Sequence, residues 1–375
     1  MKISRASNID VKRINRTNTM RSIFSCDRIS QRELAAKLDI SWPTVLQNVK
    51  ELLVLGLVEE VGAFESTGGR KARAFAPVRD AHLAVGLDIT QNHVSIVLVD
   101  LAGGLVRYSR MQKPFSMEDS YFQFLGEVVD HFIMESCIPR EKILGVGISL
   151  PGIVDESGKL LARSHAIGLR DVPTSAFSRH IPWHCVFIND ANAAGFAELR
   201  NQEDKRDTVY LSLSNSVGGA ILLDGSLYMG DNQRSGEFGH HTLEPDGKLC
   251  YCGKRGCLDT YCSAKVLSNH TDGNLAVFFE RVRAGDTVLC SVWEKYLDWL
   301  SVEVNNLRMT FDCDVIVGGY VGGYLEEFAE DLRKRLAKRN TFEPDATYLR
   351  VCRYKLEASA VGAALLQIEQ FIGQL

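Results

Sequence analysis

Apolar positions recur at three- and four-residue intervals through residues 29–58, as Leu34, Ala35 and Leu38 and then as Val45, Val49, Leu52 and Leu53. That spacing turns one side of a helix toward a core, so two short helices are predicted here. Their ends are marked as well. Ser30 and Glu33 make an S-x-x-E capping box ahead of the first helix. "DIS" breaks that helix, Ser41 caps the second, and Pro43 falls in its first turn, where a missing N–H costs nothing. Gly56 is placed to stop it. "LVEEVG" and "RKARAFAP" then read as two short strands joined by "AFESTGG". Helix, tight turn, helix and hairpin make a winged helix-turn-helix. Residues 8–26 are expected to add a supporting helix.

From residue 81 the pattern changes. "HLAVGLDITQNHVSIVLVDLAGGLV" holds two apolar strand-like runs around a turn, and "TVYLSLSNSVGGAILLDGSLYMG" repeats that layout more than a hundred residues later. "KILGVGISLPGIVDESGKL", "CVFINDANAAGFAELR" and "CDVIVGGYVGGYLEEFAEDLRKRL" each begin as a buried strand and pass into a turn or an amphipathic helix. Strands alternating with helices predict an α/β body. The repeated hairpin predicts two related lobes with a cleft between them. The expected division is a head at 1–80, a first lobe at 81–190 joined by a C-terminal helix at 356–375, and a second lobe at 191–355.

The chain has 375 residues, 45% hydrophobic and 24% charged, which is ordinary for a globular protein with a sizeable core. No apolar run is long enough to span a bilayer, and "MKISRASNIDVKRINR" lacks the apolar segment of a signal peptide. The expectation is a cytoplasmic protein without a membrane partner. The ten cysteines are then read as reduced thiols rather than disulfides, most of them small buried hydrophobes.

Charge separates head from body. Residues 1–80 carry fourteen Lys and Arg against nine Asp and Glu, a surplus of five, so a net charge of −4 leaves about −9 on the rest. A basic head on an acidic body points to a polyanionic partner for the head. In a helix-turn-helix the second helix presents its N-terminal residues to base edges in the major groove. The outward positions here are Trp42, Pro43, Thr44, Gln47 and Asn48, with Lys50 near the backbone. Gln and Asn can each bond adenine through two hydrogen bonds. Arg70, Lys71 and Arg73 are placed on the wing to reach phosphates or a minor groove. The alternative is a small helical protein-interaction domain with a solvated basic face. Caps, spacing, wing and charge together favour a double-stranded DNA operator.

One segment concentrates ligating side chains: "GEFGHHTLEPDGKLCYCGKRGC", Gly236 to Cys257. Cys250, Cys252 and Cys257 lie within eight residues, with Gly253 and Gly256 for tight turns. A histidine upstream, His240 or His241, completes a Cys₃His set, which is a standard structural zinc site. A redox-active thiol cluster is the competing reading.

That segment, extended to "LDTY", resembles the glycine- and cysteine-containing signature of the ROK family of repressors and sugar kinases. "GVGISLPGIVDESGKL", "INDANAAGFAE" and "IVGGYVGG" are similar to its other motifs, and "STGGRKAR" leading into the body resembles its repressor branch. The resemblance covers nearly the whole chain. It implies a two-lobed, actin-like ATPase (ribonuclease H-like) body behind the winged head, a homodimer or homotetramer, and a sugar in the cleft. Carried over residue by residue, it implies a structural zinc held by His240, Cys250, Cys252 and Cys257, and sugar binding by Asn189, Asp190, Glu237, His240 and Asp259. His240 would serve both, one ring nitrogen to each.

Departures from the family pattern shape the functional expectation. Family kinases carry Asp-x-Gly-Gly-Thr after the first strand, and this chain reads "LDITQN", with Thr90 and Gln91 where the glycines belong. The second phosphate loop reads "LSNSVGGA", keeping Gly218 and Gly219 behind Ser214, Asn215 and Ser216. Side chains at such positions block close backbone approach to phosphate. Asp259 stands in place of the usual Glu, and Ala166 and Leu169 in place of a common Asn and Trp. The expected function is therefore a DNA-binding transcriptional regulator, a repressor of carbohydrate genes. Its catalytically inactive body answers to a sugar or sugar phosphate. The alternatives are an ATP-dependent sugar kinase with Asp190 as general base, and a regulator controlled by a protein partner.

Overall fold

The computed structural model describes residues 8–64, 72–200 and 207–375. The head opens with α1 (Asn8–Phe24), followed by β1 (Ile29–Ser30), α2 (Gln31–Leu38), α3 (Trp42–Val54), β2 (Val58–Ala63) and β3 (Arg73–Pro77). The capping box forms: Ser30 Oγ accepts from Glu33 N at 3.2 Å, and Glu33 Oε2 accepts from Ser30 N at 2.8 Å. Such a cap contributes about 1 kcal/mol. Asp39 ends α2 in the left-handed region, and Ser41 caps α3 with Pro43 in its first turn. The three strands pair antiparallel in the order β1-β3-β2. Met20 and Ile23 of α1, Leu34 of α2, Val45, Val49 and Leu52 of α3 and Phe75 of β3 close the core. Leu53, expected inside, is exposed, because α3 turns its 46–50–53–54 side outward.

The body contains two five-stranded sheets of one design. The first is built from β4 (Leu83–Ile89), β5 (His93–Asp100), β6 (Leu105–Gln112), β7 (Ile143–Leu150) and a later strand, with α4 (Asp119–Glu135) between β6 and β7. A three-stranded ribbon, β8 (Ile153–Val154), β9 (Leu160–Ser164) and β10 (Leu169–Pro173), and the one-turn α5 (Ser175–Ser178) precede that strand, β11 (Cys185–Asn189), which runs into α6 (Asp190–Arg200). The strand order is β11-β7-β4-β5-β6. β4–β5–β6 form an antiparallel meander, and β7 and β11 join parallel to β4.

The second sheet uses β12 (Thr208–Leu213), β13 (Val217–Leu223) and β14 (Ser226–Leu227). After the cysteine segment come α7 (Asp259–Cys262), α8 (Ala264–Ser268), α9 (Leu275–Arg283) and the long α10 (Thr287–Phe311). The chain finishes with β15 (Asp314–Gly318), α11 (Gly319–Gly322), α12 (Ala329–Arg339), β16 (Leu349–Val351) and α13 (Ala358–Gln374). The order β14-β13-β12-β15-β16 repeats the first sheet, an antiparallel meander followed by two parallel strands.

Two helices, α6 and α13, fill the layer between the sheets. α13 lies on β4, β5 and β7, whereas α6 lies on β12 and β13. The contacts are backbone to backbone. A Cβ at Gly147 would sit 1.8 Å from the Ala363 carbonyl oxygen, and one at Gly362 would sit 1.7 Å from that of Ala193. Only glycine fits at either place. The outer faces of the sheets carry separate cores, one under α4 and one under α10 and α12. Among the described residues, no helix is long and apolar enough to cross a membrane.

Candidate functional site

The cysteine segment folds into a knuckle. Isolated bridges pair Thr242 with Cys257 and Leu249 with Arg255, so the chain doubles back around a turn in which Gly253 N donates to Cys250 O at 2.9 Å. Gly256 takes φ +79°, and a Cβ there would lie 1.7 Å from Glu244 O, so no other residue fits. The fold brings His240, Cys250, Cys252 and Cys257 together, with ligand atoms all within 4.8 Å of one another. Cys250 Sγ lies 3.9 Å from His240 Nδ1, and Cys252 Sγ lies 3.8 Å from Cys257 Sγ. A tetrahedral ion with thiolate bonds of about 2.3 Å has edges of about 3.8 Å. The four residues can therefore hold a metal ion as they stand. His241 is turned away, its Nδ1 2.9 Å from Oε1 of the fully buried Glu303 on α10.

His240 has a second face. Its Nε2 lies 3.9 Å from Glu237 Oε2 and 3.5 Å from the Tyr251 hydroxyl. Asp190 stands where β11 passes into α6. Its Oδ1 accepts from Ala191 N at 2.9 Å and from Asn189 Nδ2 at 3.0 Å. Asn189 is engaged on both ends, Nδ2 donating to Gly152 O and Oδ1 accepting from Asn192 N, each at 3.0 Å. It therefore shapes the strand-to-helix turn. Asp259 is buried, and its Oδ1 accepts from Val217 N at 2.6 Å. Burial raises the Asp190 and Asp259 carboxyls, and partial desolvation raises that of the more exposed Glu237; Asp190 reaches about 7, with the charges of Asp88 and Glu237 adding to the shift. Asp88, bonded by Ser149 Oγ at 2.8 Å, is pushed up to about 6 by burial.

Two turns, joining β4 to β5 and β12 to β13, correspond to the departures seen in the sequence. In the β4–β5 turn, Thr90 closes the loop on itself: Oγ1 donates to His93 O and accepts from His93 N, both at 3.0 Å, while Thr90 N donates to His93 O at 2.9 Å. In the β12–β13 turn, Ser214 O accepts from Ala264 N at 2.7 Å. Gly219 is retained for packing, since a Cβ there would lie 2.2 Å from the Phe238 ring. Between the turns, Arg110 of β6 reaches across to Tyr320 of α11, 3.3 Å from its hydroxyl and 5.2 Å above its ring.

On the head, Trp42, Pro43, Gln47 and Lys50 are exposed along the outer side of α3, and Thr44 is half-buried, bonded to Ser41 Oγ. Gln47 Nε2 donates to Glu51 Oε1 at 2.7 Å. Asn48 departs from expectation. It is buried, and its Nδ2 donates to Thr19 Oγ1 of α1 at 2.9 Å, because the side of α3 carrying Val45, Asn48, Val49 and Leu52 is the one α1 covers. The outward place is taken by Leu46. Arg73 pairs with Glu60 on the wing at 3.2 Å. Arg70 and Lys71 lie outside the described residues.

Known proteins carry the same two parts. The model of the ROK family matches residues 84–370. This chain belongs to the ROK family. A winged helix-turn-helix DNA-binding model matches residues 3–59. Among ROK relatives, the xylose repressor of Bacillus spizizenii is 28% identical over 318 residues, covering 82% of each chain. The N-acetylglucosamine repressor of Escherichia coli is 26% identical over 257 residues, 68% of this chain and 63% of that one. In structure, a ROK transcriptional regulator described as a homologue of the E. coli MLC protein superposes with a TM-score of 0.75 at 20% identity, covering 97% of both chains. A ROK glucokinase from Streptomyces griseus, solved with glucose and AMPPNP, gives a TM-score of 0.64 at 25% identity over 76% of this chain and 98% of its own.

Sequence reasoning missed several residues of this ROK cleft. Tyr251 sits between two of the cysteines, its ring 5.4 Å from His240 and 5.3 Å from His165 of the β9–β10 turn. An aromatic residue between close ligands was the available signal. Arg110 and Tyr320 gave none, being 210 residues apart. Of the scattered cysteines, expected to be mostly buried hydrophobes, Cys262, Cys313 and Cys352 are buried, Cys26, Cys185 and Cys290 are partly buried, and Cys137 is exposed.

Proposed function

We propose that this protein is a sugar-responsive, DNA-binding transcriptional regulator of repressor type, with a kinase-derived body that no longer catalyses phosphoryl transfer. The observation that carries the reading is the union in one chain of a winged helix-turn-helix head, matched over residues 3–59, and a ROK body, matched over residues 84–370. The division is a head at 1–80, a first lobe at 81–190 with the C-terminal helix, and a second lobe at 191–355. Relatives named as xylose and N-acetylglucosamine repressors support the same conclusion.

In this reading the sugar lies between Asp190, Asn189, Glu237, His240 and Asp259. Carboxylates accept from ring hydroxyls, and imidazole and amide donate or accept. Zinc is the metal that suits a Cys₃His knuckle. Bound there, it would fix the position and tautomer of His240, leaving Nε2 for a sugar hydroxyl. Asp259 acts through Val217 as much as on the sugar, tying the β12–β13 turn to the knuckle. The β4–β5 turn spends Thr90 N and His93 N on itself, so those donors are unavailable to a nucleotide phosphate. In the head, Trp42, Pro43, Thr44 and Gln47 face base edges, and Lys50, Arg70 and Lys71 face phosphates. A homodimer or homotetramer would present two such helices to half-sites one helical turn apart.

The reading is tested with the full chain in two assays. It should bind DNA from its own upstream region in preference to random DNA, and it should release no ADP from ATP in the presence of D-glucose, D-xylose or N-acetylglucosamine. ADP release that disappears in Asp190→Asn would make the protein a kinase. Equal affinity for all DNA would remove the repressor.

A further inference from the structure

Head and body share a continuous core, and one carboxylate sits where three of their elements meet. The apolar cluster that begins with Met20, Val45 and Phe75 in the head continues without a break into Leu101, Leu199, Leu365, Ile368 and Ile372 of the body. At its edge, Glu369 of α13 receives two arginines. Arg21 of α1 reaches Oε2 at 2.5 Å, and Arg200, the last residue of α6, is paired with Oε1. Arg200 also donates to Leu101 O at 3.3 Å. Burial, with the Arg21 charge close by, pulls the Arg200 guanidinium down to about 10. Thr17 Oγ1 adds a bond to Ile372 O at 3.2 Å, one turn further along α13.

The other ends of α6 and α13 meet at Asp190 and Ser359. Asp190 is the first residue of α6, and its carbonyl accepts from Ser359 Oγ of α13 at 3.0 Å. From Ser359 to Glu369 is ten residues of helix, a rod of about 15 Å. α6 rides on the second sheet and α13 on the first, and their backbones touch at Ala193 and Gly362. With one helix on each sheet, Arg200 and Glu369 are the side chains that join the two at their far ends. On the head side, α1 holds the recognition helix by Asn48 to Thr19 at 2.9 Å and Arg16 to Glu51 at 2.8 Å. Glu51 also holds Gln47, one of the exposed residues of α3.

We propose that Glu369, shared between Arg200 and Arg21, is the positioning residue through which cleft closure is transmitted to the DNA-binding head. The inference rests on the sugar-responsive reading above. When the lobes move, Glu369 trades its hold on Arg200 against its hold on Arg21. That tilts α1 and, through Asn48 and Glu51, α3. A ligand can drive this only by binding the two lobe arrangements with different affinity.

The test uses the full chain and Arg21→Gln, which removes only the head's half of the junction and leaves the less exposed Arg200–Glu369 pair intact. Three quantities are measured: the affinity for D-xylose and N-acetylglucosamine by calorimetry, the affinity for upstream DNA without sugar, and the fold-change in DNA affinity caused by sugar. The expected result is that the first two stay within about twofold of wild type while the third falls at least about fivefold, a loss of about 1 kcal/mol of coupling. An undiminished fold-change overturns the proposal. A sugar-independent readout separates its failure from failure of the sugar reading. Amide hydrogen exchange should speed up at residues 17–24 in Arg21→Gln, with residues 197–200 and the β4 and β7 amides unchanged. If wild type answers to no sugar, the sugar reading falls and the junction is judged on exchange alone, with unchanged rates at residues 17–24 refuting it. Glu369→Gln serves as the second variant. It should abolish the same coupling and speed up exchange at both 17–24 and 197–200, and if it retains wild-type coupling the proposal fails.

Discussion

Burial pushes the Asp190 carboxyl up to about 7 from an ordinary 3.8, with the like charges of Asp88 and Glu237 adding to the effect and the Ala191 N–H opposing it. Asp190 also lies within electrostatic reach of Tyr210 and Tyr320. The folded carboxyl holds its proton to higher pH than the unfolded one. The stability associated with that proton is fully present below about pH 4 and is lost as pH rises through 7. Asp190→Asn removes the penalty. The variant should melt level with wild type at pH 4 and above it at pH 8, by on the order of 1–2 kcal/mol. Thermal unfolding at the two pH values checks this, and a variant less stable than wild type at pH 8 would show that the carboxylate is stabilised in the fold. On the head, Gln47→Ala should lose about 1–3 kcal/mol on the operator and much less on random DNA. Equal loss on both would remove Gln47 from base readout. Asn48→Ala should instead lower the stability of the head by about 1–3 kcal/mol, because Thr19 Oγ1 loses a buried partner.

At the scale of elements, the knuckle is the part whose removal is most informative. Cys250→Ser takes away one buried donor of a four-donor set. Zinc content by mass spectrometry should fall from about one per chain to near zero. Sugar affinity should fall about 10–100-fold as His240 loses its fixed orientation, while DNA affinity without sugar stays within about twofold. Full zinc with unchanged sugar affinity would contradict the arrangement. The elements themselves were legible where a local signal existed: the capping box at Ser30, the N-cap at Ser41, and the Cys-x-Cys spacing each need only a few neighbouring residues. Asn48 was misread for a physical reason. Periodicity gives the angle of a side chain around a helix, and α1, which covers that angle, is set by packing across the head. An amide bonded to a buried hydroxyl looks the same in sequence as one bonded to a base.

Over the whole molecule, the two-lobed body was readable because the two-strand-and-turn pattern recurs in the chain. What joins the parts was not readable. Arg110 to Tyr320 spans 210 positions and Arg21 to Glu369 spans 348, distances over which no periodicity or spacing carries information. These are the contacts that make one linked body of a head and two lobes. The proposed function rests on a response rather than on any single site: bound sugar must change the affinity of α3 for DNA. Fluorescence anisotropy of the full chain on its upstream DNA measures this directly, at fixed salt because phosphate contacts make affinity steeply salt-dependent. D-xylose, D-glucose, N-acetylglucosamine and their phosphates form the titration panel. One of them is expected to shift the dissociation constant at least about tenfold, about 1.4 kcal/mol, and Glu237→Ala to abolish the shift. Tight DNA binding that no sugar moves would contradict it.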